Sequence, residues 1–161
     1  MKVLFMCTAN SCRSILSEAM FNHLAPQGFE AISSGSFPKG QVLPRSLSTL
    51  QAAGISTEGL YSKGNDAFEG SPPDVVITVC DKAAGEACPV YFGPAVKAHW
   101  GLEDPSDVQG DDASVQAAFD ATLKIIATRC RAFFILPFAE LSPAELKTEL
   151  ARIAQLQSEA P

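Results

Sequence analysis

Two uninterrupted apolar runs, "KVLFMC" over residues 2–7 and "DVVITVC" over 74–80, stand out from a chain that otherwise alternates short hydrophobic stretches with helix-like periodicity. Neither shows the every-second-residue alternation of a strand with one wet face. Both therefore read as strands covered on two sides, as the central strands of a parallel sheet are. Shorter strands are expected at 30–34 ("EAISS") and 96–100 ("VKAHW"), with Gly35, Pro72, Pro73 and Gly101 as punctuation. Helices fit between them. "SILSEAMFNHLA" puts Ile15, Leu16, Ala19, Met20 and Leu24 on one face, and "PRSLSTLQAAG" starts on Pro44 and stops on Gly54. Residues 113–134 form a long apolar-periodic helix carrying Val115, Ala118, Phe119, Leu123, Ile126 and Ala127. After Pro137, a last helix has Ser142 as N-cap, Pro143 at its first position and a stripe of Leu146, Leu150, Ile153 and Leu156. Alternating strands and helices predict an α/β fold, a three-layer sandwich around a parallel sheet of about four strands.

At 161 residues and 47% hydrophobic, the chain reads as one domain over 1–136 with a helical extension, 137–161, packed on it. A chain of this size buries roughly 70% of the surface its unfolded form exposes and needs no disulfide or structural metal to fold. Its five cysteines are thus available for chemistry. Net charge is −6 with no Lys/Arg cluster, which argues against nucleic acid or an anionic membrane as partner. No apolar stretch reaches the ~18 residues of a membrane span, and residues 2–6 are too short for a signal-peptide core. A cytoplasmic monomer is expected.

The chemistry concentrates where the first strand runs into the first helix, at "CTANSCRS". A strand, a tight loop and a helix N-terminus make backbone N–H groups converge on an anion, and the helix dipole adds to their pull. Cys7 stands at the loop entrance, where a thiolate is stabilised. Arg13 offers a planar two-pronged donor for an oxyanion. Asn10 tolerates the left-handed backbone of a tight loop, and Ser14 is placed to hydrogen-bond the Cys7 sulfur. Thr8, Ala9, Ser11 and Cys12 complete the oxyanion-binding loop. In a parallel sheet every strand ends at the same edge, so Cys7 after the first strand and Cys80 after the third face one crevice. The gaps between Cys7, Cys12, Cys80 and Cys88 are not those of zinc knuckles, and no metal is assigned. Cys130, between two arginines on a helix, reads as structural.

Cys7, five residues, then Arg13-Ser14 resembles the phosphate-binding loop of the low-molecular-weight tyrosine phosphatases and of their relatives, the thioredoxin-linked arsenate reductases. The resemblance covers about residues 1–134 and implies a flavodoxin-like fold. The pair Cys80 and Cys88, in "CDKAAGEACP" after a strand of "VVITVC" character, is similar to the reductase branch; a phosphatase needs neither thiol. "HWGLEDPSD" (99–107) resembles the general-acid loop of both branches through Asp104-Pro105, with Glu103 as a competitor for the acid's role. Ser106 and Asp107 follow, where phosphatases commonly carry aromatic residues.

The resemblance implies arsenate reduction: Cys7 attacks arsenic, Asp104 protonates the leaving oxygen, and a relay through Cys80 and Cys88 ends on thioredoxin or on glutaredoxin with glutathione. Phosphate and sulfate would be substrate analogues, and no cofactor is tightly bound. Two other readings remain open: a phosphatase working through phosphocysteine, and a non-enzymatic oxyanion or redox sensor. Ala9 replaces a glycine common in the family. "YSKGNDAF" (61–68) lacks the Thr-x-Asp element of the monovalent cation site found in some reductases, so no potassium is assigned.

Overall fold

The computed structural model describes the whole chain except residues 65, 67–69, 82–84, 87–90, 92 and 158–161. Four strands, β1 (Lys2–Cys7), β2 (Glu30–Gly35), β3 (Val75–Thr78) and β4 (Val96–His99), form one parallel sheet in the order β2-β1-β3-β4. Among the described residues, four α-helices flank it: α1 (Arg13–Leu24), α2 (Pro44–Ala52), α3 (Asp112–Phe134) and α4 (Pro143–Ile153). The strand order steps outward from β1 in both directions. The crevice at the carboxyl ends of β1 and β3 is therefore the switch point where ligands bind in open α/β sheets.

Alternation along β1 divides the interior. Val3, Phe5 and Cys7 face a large core that takes in Leu16 of α1, Leu50 of α2, Phe119 and Phe133 of α3, and Leu146, Leu150 and Ile153 of α4. Leu4 and Met6 face the other side, where Val76, Ile32, Tyr91 and Ala95 join them. Phe5 stacks edge-on against Phe21 at 5.8 Å between ring centroids and lies 6.2 Å from Trp100. Truncating so buried a ring to alanine costs about 3–5 kcal/mol.

The third strand is shorter than the run 74–80 predicts. β4 ends at His99, so the β3 ladder stops at Thr78; Val79 instead donates to the Met6 carbonyl at 2.9 Å and accepts from Leu102 N–H at 3.3 Å. Cys80 consequently lies in a turn beyond the sheet rather than in the strand. The last helix begins as expected, with Ser142 and Glu145 forming a reciprocal capping box. It ends at Ile153, short of Leu156 at the end of the expected stripe: Leu156 N–H turns back to the Ile153 carbonyl, and its own carbonyl is taken by Arg129 Nε at 3.0 Å.

Candidate active site

The loop between β1 and α1 is held from outside by its carbonyls. Those of Cys7, Thr8, Ala9 and Ser11 accept from the backbone N–H of Ser36, Phe37, Lys39 and Leu43 at 2.8–3.2 Å, and Ser62 and Ser46 hydroxyls add bonds to Ala9 and Ser11. In a trans peptide the next residue's N–H points opposite to the carbonyl. The N–H groups of Thr8, Ala9, Asn10 and Cys12 are thereby turned toward the inner side of the loop, and that of Asn10 meets Cys7 Sγ at 3.3 Å. Asn10 has φ +48°, the left-handed conformation expected of it. The end of β2 approaches so closely that a Cβ on Gly35 would stand 2.5 Å from the Thr8 carbonyl. Helix α1 starts at Arg13 with no side chain capping it, which leaves its first N–H groups for a ligand.

Behind the loop runs a buried polar network. Asn10 Nδ2 donates to Ser14 Oγ at 2.8 Å and to Ser33 Oγ at 3.0 Å, and Asn10 Oδ1 accepts from Lys63 N–H at 2.9 Å. Since Ser14 Oγ accepts from Asn10, its own proton is free to point at Cys7 Sγ, 2.9 Å away. Ser33 donates to Glu18 Oε1 at 2.6 Å, and the Lys63 ammonium lies 3.4 Å from both Glu18 and Ser33, 3.0 Å from the Tyr61 carbonyl and 4.5 Å from the centroid of the Tyr61 ring. Lysine and glutamate are almost never this buried unless paired.

In front of the loop, Arg13 holds two carboxylates. Its Nη1 and Nη2 reach Glu86 Oε2 and Oε1 at 2.6 and 2.8 Å, and Nη2 lies 3.5 Å from Asp104 Oδ2. Nη1 also donates to the Leu102 carbonyl at 3.2 Å. Burial alone would weaken the guanidinium's charge, but hydrogen bonding to Glu86 and the charges of Asp104 and Glu86 outweigh it, and the Arg13 pKa is raised. The Arg13 hydrogen bonds likewise hold the Glu86 carboxyl below its ordinary pKa. Asp104 is anchored on its other oxygen, where Oδ1 accepts from Ser106 N–H at 3.0 Å and Ser106 Oγ at 2.6 Å. Glu103 is exposed and outside the Arg13 cluster.

The structure thus brings Cys7, the loop from Thr8 to Ser14, and Asp104 together around Arg13. Met6 pairs with Thr78, so Cys80 follows one residue after the position opposite Cys7; it is fully buried and disulfide-bonded. Cys88 lies outside the described residues. Cys7, Cys12 and Cys130 are free thiols. Burial, foremost, pushes the thiol of Cys12, the second cysteine of the loop, up to about 12. Cys130 is wholly enclosed and raised by the same cause. Among the described residues no cluster of His, Cys, Asp and Glu is arranged to hold a metal ion, and no helix is long and apolar enough to cross a membrane.

Sequence reasoning missed Glu18, Ser33, Lys63 and Glu86. Lys63 stood inside the stretch judged only for its missing cation-site element, and the structure puts its ammonium among the acidic and hydroxyl groups beside the loop. Glu18 carried a signal, a lone carboxylate between Leu16 and Ala19 of an apolar helix.

A cysteine-bearing loop at the switch point of a four-stranded parallel sheet, closed by an arginine at the first turn of a helix, defines a class. The chain belongs to the low molecular weight phosphotyrosine protein phosphatase family, whose profile matches residues 2–152. Within it, the chain is similar to the arsenate reductase of Halalkalibacterium halodurans, 29% identical over 131 residues that cover 81% of this chain and 93% of the relative. The structure of an arsenate reductase in its phosphate-binding state is similar too, at 26% identity with a TM-score of 0.65 over 88% of this chain and 98% of that one. So is that of a thioredoxin-dependent arsenate reductase of Corynebacterium glutamicum, at 25% identity with a TM-score of 0.54 over 81% of this chain and 61% of that one.

Proposed function

We propose that this protein is an arsenate reductase that works by a thiol relay through Cys7, Cys80 and Cys88 and is recharged by an external dithiol, with thioredoxin as the donor. One observation carries the reading furthest: a second cysteine, Cys80, follows the carboxyl end of β3 one residue past the position opposite Cys7, and it is disulfide-bonded. Phosphate-ester hydrolysis through a phosphocysteine gives such a thiol no work. The similarity to arsenate reductases, one of them thioredoxin-dependent, supports the same reading.

The chemistry begins with arsenate held by the inward N–H groups and Arg13. The Cys7 thiolate, stabilised by Ser14 and Asn10 N–H, attacks arsenic and forms an S–As bond. One arsenate oxygen leaves as water, with Asp104 placed to supply its proton through Oδ2. Cys80, as thiolate, then attacks Cys7 Sγ. The S–As bonding pair passes to arsenic, which falls from As(V) to As(III) and departs as arsenite, while the two sulfurs are oxidised to a disulfide. Cys88, as thiolate, attacks Cys80 and releases the Cys7 thiolate. The donor dithiol finally reduces the Cys80–Cys88 disulfide and is itself oxidised.

The test is arsenite release with thioredoxin, compared with glutaredoxin plus glutathione. Cys7→Ser should abolish turnover. Cys88→Ser should release one equivalent of arsenite and then stall with Cys7 joined to Cys80, seen by peptide mapping. Full arsenite turnover by Cys80→Ser would remove the relay, whereas no arsenite from the parent together with phosphate-ester hydrolysis undiminished in Cys80→Ser would leave the phosphatase reading in its place.

A further inference from the structure

The fork of Arg13, a donor pair suited to an oxyanion, is taken in this structure by the protein's own carboxylate. Glu86 Oε1 accepts from Arg13 Nη2 at 2.8 Å and from Thr8 Oγ1 at 3.4 Å; Oε2 accepts from Arg13 Nη1 at 2.6 Å and from Asp81 N–H at 2.9 Å. Four donors serve one anion. Three of them belong to the oxyanion loop and its arginine, and the planar fork is matched edge to edge, the arrangement that makes arginine–carboxylate pairs strong. The chain is shaped to return there: Gly85 adopts φ +83°, a left-handed turn that side-chain-bearing residues rarely take, and Glu86 N–H closes on the Asp81 carbonyl at 3.1 Å.

Resting on the oxyanion-reducing role proposed above, we infer that Glu86 is an internal competitor for the oxyanion site and sets its affinity in the disulfide form. Arg13 cannot present its fork to Glu86 and to a phosphate-like ligand at once. Binding must first displace the carboxylate, and the apparent affinity falls by the strength of the contact it breaks. Glu86 is suited to leave: its side chain is 25% exposed against 7% for Arg13, so water receives it when it swings out. The contact also explains how a pocket built for anions stays satisfied while Cys80 is oxidised and the reducing partner has yet to act.

Inorganic phosphate, titrated calorimetrically into the disulfide form of the full chain, reads this without any reduction of arsenate, so it holds whether the enzyme proves to be reductase or phosphatase. Glu86→Gln and Glu86→Ala should both bind phosphate about tenfold more tightly or better than the parent, a change of about 1.4 kcal/mol per tenfold. Arg13→Ala should abolish binding in every background. A merely structural Glu86 would lower thermal stability without tightening phosphate. Affinity unchanged or weakened in both Glu86 variants overturns the assignment.

Discussion

Two ion pairs flank the oxyanion loop, and they are built differently. Behind it, Lys63 and Glu18 expose 7% and 11% of their side chains, and Ser33 and Asn10 tie the pair into the loop itself. In front, Arg13 is equally buried but its partner Glu86 is more open, and that carboxylate hangs on a turn instead of a helix. A buried pair that loses one member leaves the other charge without water or counterion; a pair at the rim can open into solvent. The rear pair is therefore scaffold, and the front pair is replaceable by a ligand of the same charge.

Breaking the rear pair should have the largest effect. Lys63→Met, which keeps the aliphatic stem and removes the ammonium, is expected to cost about 3–5 kcal/mol of unfolding free energy, measured by urea denaturation. Adding Glu18→Gln should recover much of it. A loss under about 1 kcal/mol in the single variant would put the rear pair in the class of surface pairs.

The front of the site offers a finer contrast, because Arg13 faces two carboxylates of which only Glu86 must leave. Asp104 stays, anchored by Ser106. Asp104→Asn should slow the first chemical step by about 10²-fold or more while phosphate affinity stays close to that of the parent, since the amide keeps the shape but is no proton donor of use. Stopped-flow single turnover separates the two quantities. If Glu103→Gln is instead the slow variant, the acid is the neighbouring carboxylate.

The smallest effect belongs to Cys12. With its thiol at about 12, mainly through burial, it gains no charge near neutrality. Cys12→Ala should cost about 1 kcal/mol of stability and leave the pH–rate profile unmoved between about pH 6 and 9. A shifted profile would show that this thiol titrates with Cys7. Glu86 sets an opposite limit on pH. Its carboxyl is lowered by Arg13, so the front pair is present at neutral pH, above the ordinary carboxylate value, and is lost only as pH falls through the lowered one.

Most of the loop was legible because its residues act within one short stretch. Cys7, Asn10, Arg13 and Ser14 are placed by a strand, a tight turn and a helix that the apolar pattern of residues 2–24 already marks, and the Asn10 backbone and the Ser14–Cys7 contact follow locally. The convergence of Cys80 and Asp104 on the same edge was legible from topology, since parallel strands share their carboxyl ends. The end of β3 was not: the apolar run continues to Cys80, and only the length of β4 decides where pairing stops. Lys63 and Glu86 were illegible for a different reason. Each reaches the loop from far along the chain, Lys63 through a segment without regular structure and Glu86 through a turn that depends on Gly85. Nothing in their sequence neighbourhood distinguishes them from solvated charges.

The indole of Trp100 donates to the Leu150 carbonyl of α4 at 3.0 Å, while its backbone N–H bonds the Thr78 carbonyl at the end of β3. It is the chain's one tryptophan. A single fluorophore is thus wedged between the last helix and the stretch leading to Asp104, 2% exposed. Its emission should be blue and insensitive to aqueous quenchers while α4 stays docked, and should redden if the helix lifts. The molecule carries a built-in optical gauge for whether its carboxyl-terminal helix and its acid loop move together during turnover, readable without a label.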